Sequence, residues 1–365
     1  MSSIFGTNLK ISIFGQSHAP AVGVTIDGLP VGEPIDMDRL RAFMARRAPG
    51  GKTWSTQRRE ADEPEIVCGI AGGRTCGAPL TVLIRNTDVR PGDYSAFSDT
   101  PRPAHADYTG RIRYGGWNDF SGGGHFSGRL TAPLCAAGGI CAQILSRRGI
   151  EIGAHLLRAG GAEDAPFDPA GVTAAQLHQV RGAAFPTLLE SAGIQMQAAI
   201  EQARQDGDSI GGVIECAAVG VPAGFGSPIF DGVENRIAQA VFGIPGVKGL
   251  EFGSGFAGSG RRGSQNNDPF TVSGGDVRTV TNNHGGLLGG ITSGMPILFR
   301  IAMKPTPSIY KPQQSVDLQS MTAAELTIKG RHDPCIAVRA VPCAESAAAV
   351  ALTDILMDGA YAQWN

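Results

Sequence analysis

An α+β fold, built from strand hairpins with a helix buried between layers, is what the sequence predicts, and three observations predict it. Residues 9–14 (LKISIF) and 22–26 (VGVTI) alternate apolar with polar side chains, the period of a strand buried on one face. Residues 64–86 read as a second strand pair whose latter half, PLTVLI, is rich in β-formers. Residues 132–145 are apolar and full of Ala and Gly, a composition suited to a helix enclosed on all sides rather than one with a solvent face. With 365 residues, 42% hydrophobic and 18% charged, the chain has ample material for a core.

Taken in order, the loop GQSHAPA between the first two strands presents His18 at a strand end. A helix follows from about Asp36, with Leu40, Phe43, Met44 and Arg47 on one face, and stops at Ala48-Pro49-Gly50. Arg46 and Arg47 then occupy its last turn, where cations complement the helix dipole. The stretch from Pro101 to Thr131 mixes histidines, arginines, glycines and aromatics too irregularly for one helix or strand. It reads as a ligand-binding loop system, because glycine lets backbone approach a ligand, arginine forks hold anions and histidine moves protons near neutrality. The buried helix after it starts with Thr131 as N-cap and Pro133 in the first turn.

Residues 155–182 suggest helical and loop pieces. A helix over Thr187–Gln205, a strand over 210–221, a helix over 231–242 and a strand near 247–252 follow. Gly253, Gly255 and Gly258 match G-x-G-x-x-G, but a loop follows where a dinucleotide site needs a helix, so that site is rejected. Residues 282–296 form a second glycine-rich, ligand-like system. Lys304-Pro-Thr-Pro-Ser308 reads equally as a phosphate-holding segment or a plain turn. A polar linker spans residues 313–325, and a helix from about Glu345 to Met357 closes the pattern.

Seven cysteines without a C-x-x-C pair fit reduced thiols rather than a disulfide scaffold or zinc ribbon. No metal-ligand pattern stands out. No apolar run approaches the roughly 20 residues of a membrane span, and MSSIFGTNLK lacks a signal pattern, so cytoplasmic residence is the expectation. A net charge of -2 argues against a nucleic-acid partner, yet arginines crowd the first third. That combination points to a small anionic ligand.

Four motifs together are distinctive: GQSH at a strand end, RPAHADY before a GGG loop, GGITSGMP followed by KPTPS, and GRHDPCIAVRAVP. The chain resembles the chorismate synthase family from about Gly6 to Met357, with the motifs in family order. The resemblance implies a single domain over residues 1–365 folded as a β-α-β sandwich, helices packed between antiparallel sheets, assembled as a homotetramer. It implies an anti-1,4 elimination of phosphate and a proton from 5-enolpyruvylshikimate 3-phosphate to give chorismate, the last step of the shikimate pathway. Reduced FMN serves as cofactor without net redox change, with NADPH or an external reductase as the source of electrons; the failed dinucleotide motif favours the external source.

By motif position, His18 is implied as the acid for the departing phosphate, His105 as the proton donor at flavin N1, and Asp333 as the carboxylate assisting proton removal at flavin N5. Arg47, Arg102, Arg129 and Arg331 are implied around the substrate anions. Flavin contacts map to His125, Phe126, Ser127, Pro245, Gly246, Gly289, Lys304, Pro305, Thr306, Pro307, Ser308 and Arg331. Four departures accompany the match. Gln16 replaces a family glutamate beside His18, Ala104 replaces a glycine before HAD, His125 replaces an arginine, and Thr53 stands where the family has a second basic residue. A flavin- or anion-binding paralogue without the activity is the alternative reading. Retention of His18, His105 and Asp333 favours the enzyme.

Overall fold

A computed structural model describes residues 3–50, 52, 54–56, 60–87, 99–328, 330 and 332–358. The first sheet comprises β1 (Ile4–Phe5), β2 (Lys10–Gly15), β3 (Ala21–Asp27), β4 (Glu65–Cys68) and β5 (Leu80–Arg85), antiparallel throughout in the order β1-β2-β3-β5-β4. Register follows from the alternation. Val22 lies opposite Ile84, Val24 opposite Val82 and Ile26 opposite Leu80, all buried on one face. Thr25 and Thr81 meet on the other face with hydroxyls 3.1 Å apart.

The second sheet comprises β6 (Glu151–Ala159), β7 (Ala162–Glu163), β8 (Gly212–Val219), β9 (Val247–Phe252) and β10 (Ile297–Met303), in the order β9-β10-β8-β6-β7 and also antiparallel. The longer helices are α1 (Met37–Arg47), α2 (Asp107–Tyr114), α3 (Thr131–Ser146), α4 (Ala174–Gly182), α5 (Glu190–Gln205), α6 (Val233–Phe242) and α7 (Ala337–Leu356). α3 packs on β3 and β5, α7 packs on β6 and β8, and the two helices pack on each other. The result is the β-α-β sandwich, with α1 and α6 filling its flanks. The far face of the second sheet carries α4 over a separate apolar cluster that includes Phe167, Leu177, Ala217 and Leu298.

Small side chains make this middle layer possible. Every residue of α7 except Arg339 is buried, and any side chain on Gly138 of α3 would overlap the Ser346 backbone of α7. Near the end of α7, buried Asp354 accepts backbone N–H bonds from Thr7 (3.0 Å), Asn8 (2.7 Å) and Leu9 (2.8 Å), and a bond from Arg236 (2.9 Å). The two extremes of the sequence are thereby joined.

Several elements differ from the sequence reading. Residues 155–182, read as helical and loop pieces, do carry α4 but open with 155–159 in the strand β6. Its buried His155 breaks the apolar pattern, and both faces of the strand are covered. α7 begins at Ala337 and runs through Pro342, whose absent N–H costs one helical bond in an otherwise fully packed element. The supposed linker is a hairpin pairing Gln313–Asp317 with Thr322–Leu326. Thr131 is not an N-cap: its hydroxyl donates to Gly128 O (2.6 Å) and accepts from Arg47 Nε (3.0 Å). The loop system of residues 101–131 contains the two-turn helix α2. The α5 helix starts at Glu190, three residues late.

Candidate active site

Two consecutive glycines bring the predicted histidines together. Gly122 and Gly123, at φ of 60° and 96°, lie in the left-handed region that glycine adopts without cost. The His18 ring packs against Gly122, where a methyl group would overlap it. The His105 ring packs against Gly123, whose missing methyl would stand 2.9 Å from Cε1 and 3.1 Å from Nε2. Ser17 N–H donates to Gly124 O at 3.0 Å, stitching the His18 loop to this turn.

His105 is oriented by its own segment. Its Nδ1 lies 2.9 Å from Asp107 Oδ1 and 3.2 Å from Arg102 Nη2, leaving Nε2 as the atom that faces the glycine turn. Arg102 holds Asp107 bidentately through Nε and Nη2, each at 2.7 Å. Burial pushes the Asp107 carboxyl up, but Arg102 and His105 outweigh it and hold it well below its ordinary value. Lys304 Nζ donates to Ala104 O at 2.8 Å, tying the KPTPS segment to the histidine loop.

These groups open on a cavity of about 1040 Å³ walled by Ile13, Tyr114, Phe126, Leu134 and Ile336. His18, Arg102, His105, His125, Phe126, Pro245, Gly246 and all of Lys304–Ser308 line it. A smaller cavity of about 160 Å³ adjoins it, sharing Gly128, Thr131, Pro245, Thr306, His332 and Ile336, and adds Arg47, Ser127, Arg129 and Asp333. Asp333 is held there by Thr56 N–H (2.8 Å) and Arg339 (2.5 Å).

Arg47 and Arg129 are buried and both donate to the two oxygens of one carboxylate, Asp62. Burial raises the Asp62 carboxyl, while Arg47 and then Arg129 pull it below its ordinary value. Arg129 also donates to Asn86 Oδ1 (2.8 Å) and lies 3.5 Å from Glu60. Three of the arginines implied for substrate, Arg47, Arg102 and Arg129, therefore already hold carboxylates of the chain.

His125 Nδ1 lies 2.7 Å from Gly15 O and its Nε2 lies 2.8 Å from Ser3 Oγ, so a neutral imidazole satisfies both neighbours. Gly289 sits in the turn of a hairpin pairing Leu287–Leu288 with Ile291–Thr292 and lines neither cavity. The glycine-rich residues around it pack against chain instead: Gly286 N–H donates to Asn282 Oδ1 at 2.7 Å. Arg331 and Thr53 lie outside the described residues.

Sequence reasoning missed Asp62, Asp107, Arg113 and His332. Arg113 lines the larger cavity, and His332 lines both. Burial and then the Arg102 charge push the His332 imidazole down to about 4, so it is neutral near pH 7. Its place inside GRHDPC was the available signal; Asp62 had none, since its arginine partners come from distant segments.

A roomy, largely apolar cavity with two histidines poised on a glycine turn and carboxylate-held arginines beside it defines an enzyme that moves protons on a polar ligand. The sequence profile described as chorismate synthase matches residues 9–357. The chain is 46% identical to the chorismate synthase of Korarchaeum cryptofilum over 97% of each chain. It is 48% identical to that of Lancefieldella parvula, covering 98% of this chain and 96% of the relative. A solved structure titled "Crystal Structure of Chorismate Synthase" superposes with a TM-score of 0.76 at 27% identity, covering 96% of this chain and 92% of that one. The chain belongs to the chorismate synthase family. Its reaction is the family's carbon–oxygen lyase step, loss of phosphate from 5-enolpyruvylshikimate 3-phosphate to give chorismate, and no comparison favours the inactive paralogue.

Proposed function

We propose that this chain, as one domain over residues 1–365, carries out the elimination in its anti-1,4 sense over reduced FMN held in the larger cavity. The observation that carries this reading is the convergence of His18 and His105 on Gly122 and Gly123 at the wall of that cavity. The residues fit such a cofactor. Thr306 Oγ1 and His332 Nε2 are buried at the cavity wall without a hydrogen-bond partner among the described residues, and Phe126 is 37% exposed. Flavin contacts then come from His125, Phe126, Ser127, Pro245, Gly246 and Lys304–Ser308, with Arg331 retained from the resemblance and Gly289, away from both cavities, set aside.

When bound, reduced FMN supplies an electron-rich ring that assists phosphate loss and accepts the substrate hydrogen at N5. His18 in its acid form delivers a proton to the departing phosphate. Asp107 fixes Nδ1 of His105, so Nε2 is left to hold a proton toward the cavity, where it would serve as the donor for N1 of a bound reduced flavin. Asp333, oriented by Arg339 and Thr56, is the carboxylate that would accept a proton near N5 of a bound reduced flavin. Arg47, Arg102, Arg129 and Arg331 supply the positive field for a substrate with a phosphate and two carboxylates. Large apolar side chains left exposed, Phe230 at 89% and Trp117 at 93%, suit a homotetramer that covers them. Among the described residues no helix is long and apolar enough to cross a membrane, in keeping with cytoplasmic residence.

The deciding experiment is an anaerobic assay with reduced FMN and 5-enolpyruvylshikimate 3-phosphate. Phosphate and chorismate appear together, and absence of both sinks the reading. Oxidised FMN bleached by NADPH in the presence of enzyme under nitrogen would identify self-reduction; an unchanged spectrum leaves an external reductase as the electron source.

A further inference from the structure

α3 and α7 cross between the two sheets with Cys135 and Cys343 facing each other. Their sulfurs are 3.8 Å apart and both residues are buried. One turn further along each helix, Gly138 meets Ser346 with no room for a side chain, so the crossing is at its tightest here. Closing to a disulfide brings the sulfurs from 3.8 Å to a bond of about 2 Å.

The two sulfurs are not equivalent. Cys343 lines the smaller cavity beside Arg47, Thr131 and Arg339; Cys135 lines neither cavity. The Cys135 thiol donates to Cys343 Sγ, and with the nearby Arg47 guanidinium this outweighs burial and holds Cys343 below its ordinary value. Burial pushes Cys135 well above its own. Burial likewise pushes Cys335 to about 11 and Cys141 to about 12. Cys343 is the sulfur of the pair that faces a cavity and so the one an oxidant reaches, and Cys135, 3.8 Å behind it, is placed to resolve whatever forms on it.

We propose that Cys343 and Cys135 are a peroxide-sensitive thiol pair, a modification site at the floor of the smaller cavity that closes to a disulfide between α3 and α7. Hydrogen peroxide is the oxidant. The Cys343 thiolate attacks one peroxide oxygen and the O–O bond breaks, giving the sulfenic acid and hydroxide. Cys135 sulfur then attacks Cys343 sulfur and the S–O bond breaks; the leaving hydroxide and the Cys135 proton form water. Two electrons pass from the sulfur pair to peroxide, and the disulfide remains. It would remove the Cys343 thiol that donates to Arg339 O at 3.5 Å and pin the helical turn whose Arg339 holds Asp333.

The test uses the full chain carrying Cys68→Ser and Cys76→Ser, which removes the two exposed thiols. After peroxide, denaturation in iodoacetamide and digestion, mass spectrometry finds the Cys135 and Cys343 peptides joined with loss of two hydrogens, and dithiothreitol separates them. With Cys135→Ala added, the link is absent and dimedone captures Cys343 as its sulfenic acid; Cys135→Ser serves equally if the alanine variant does not fold. Recovery of both cysteines as alkylated thiols at every peroxide level overturns the proposal, as does a Cys343 that dimedone never labels in either variant. The readout needs no flavin and no turnover, so it stands or fails apart from the proposed cofactor chemistry.

Discussion

His105 is the residue whose loss separates binding from chemistry most cleanly, because Asp107 and Arg102 hold it from one side while its Nε2 faces the cavity turn. His105→Ala removes a proton donor and one contact of Arg102 but leaves the bidentate Arg102–Asp107 pair in place, so turnover falls about 100-fold or more while substrate binding holds. Anaerobic steady-state kinetics check this, and unchanged turnover would refute the role. Departures from the family pattern also become physical at this scale. Ala104, where the family has glycine, sits at φ 56°, a conformation costing a non-glycine residue about 1–2 kcal/mol, and the bond from Lys304 to its carbonyl helps hold it there. His125 bridges Gly15 and Ser3 instead of offering a permanent charge. His18, His105 and Asp333 were legible because each sits in a short motif of its own. Their supports were less so: Asp107 lay two residues away unremarked, and Asp62 reaches Arg47 and Arg129 only through the folded loop.

Among elements, the glycine turn at 122–124 carries the most consequence. Gly122→Ala puts a methyl group into the His18 ring and a strained φ into the turn. The variant folds with a near-normal melting temperature, since the turn lies outside the core, but loses most of its turnover. A variant with full activity would show that the turn does not set the His18 position. Strands with one covered face, such as β2, β3 and β5, were readable from alternation alone. β6 was not, because both its faces are buried and a charged network occupies its middle. Pro342 hid the first turns of α7, where proline normally ends a helix and here survives inside one. The glycines of residues 282–290 looked like ligand contacts for the same chemical reason that they serve as packing contacts: both uses need backbone with no side chain in the way.

Stability of the whole molecule is tied to pH through the buried group joining the second sheet to its outer layer. His155 contacts Asp164 at 2.9 Å and Glu215 at 3.0 Å, Glu215 also accepts from Arg300 at 2.8 Å, and the Phe167 ring lies against the imidazole. Burial lowers the His155 value, but Asp164 and Glu215 raise it above 6.5. Burial raises both carboxyls, yet His155 leads the contacts that hold them below their ordinary 3.8 and 4.5. The histidine's contribution is therefore full below pH 6.5 and is lost as pH rises through the raised value. The carboxylates' contribution is full above pH 4.5 and is lost as pH falls through the lowered values. Melting temperatures of the protein and of His155→Gln should differ most between pH 4.5 and 6.5 and converge at higher pH; a constant difference up to pH 9 would remove the linkage. The helix α7 has a further consequence at this scale. It packs on the second sheet and on α3, and its Asp354 ties down Thr7, Asn8 and Leu9, so on the ribosome a growing chain that already holds His18, His105 and all ten sheet strands still has the inner face of its second sheet bare and the loop before β2 untethered. Assembly of this enzyme is thus postponed until translation has passed residue 356, and any factor that shelters nascent polypeptides meets it with one sheet still waiting for its cover.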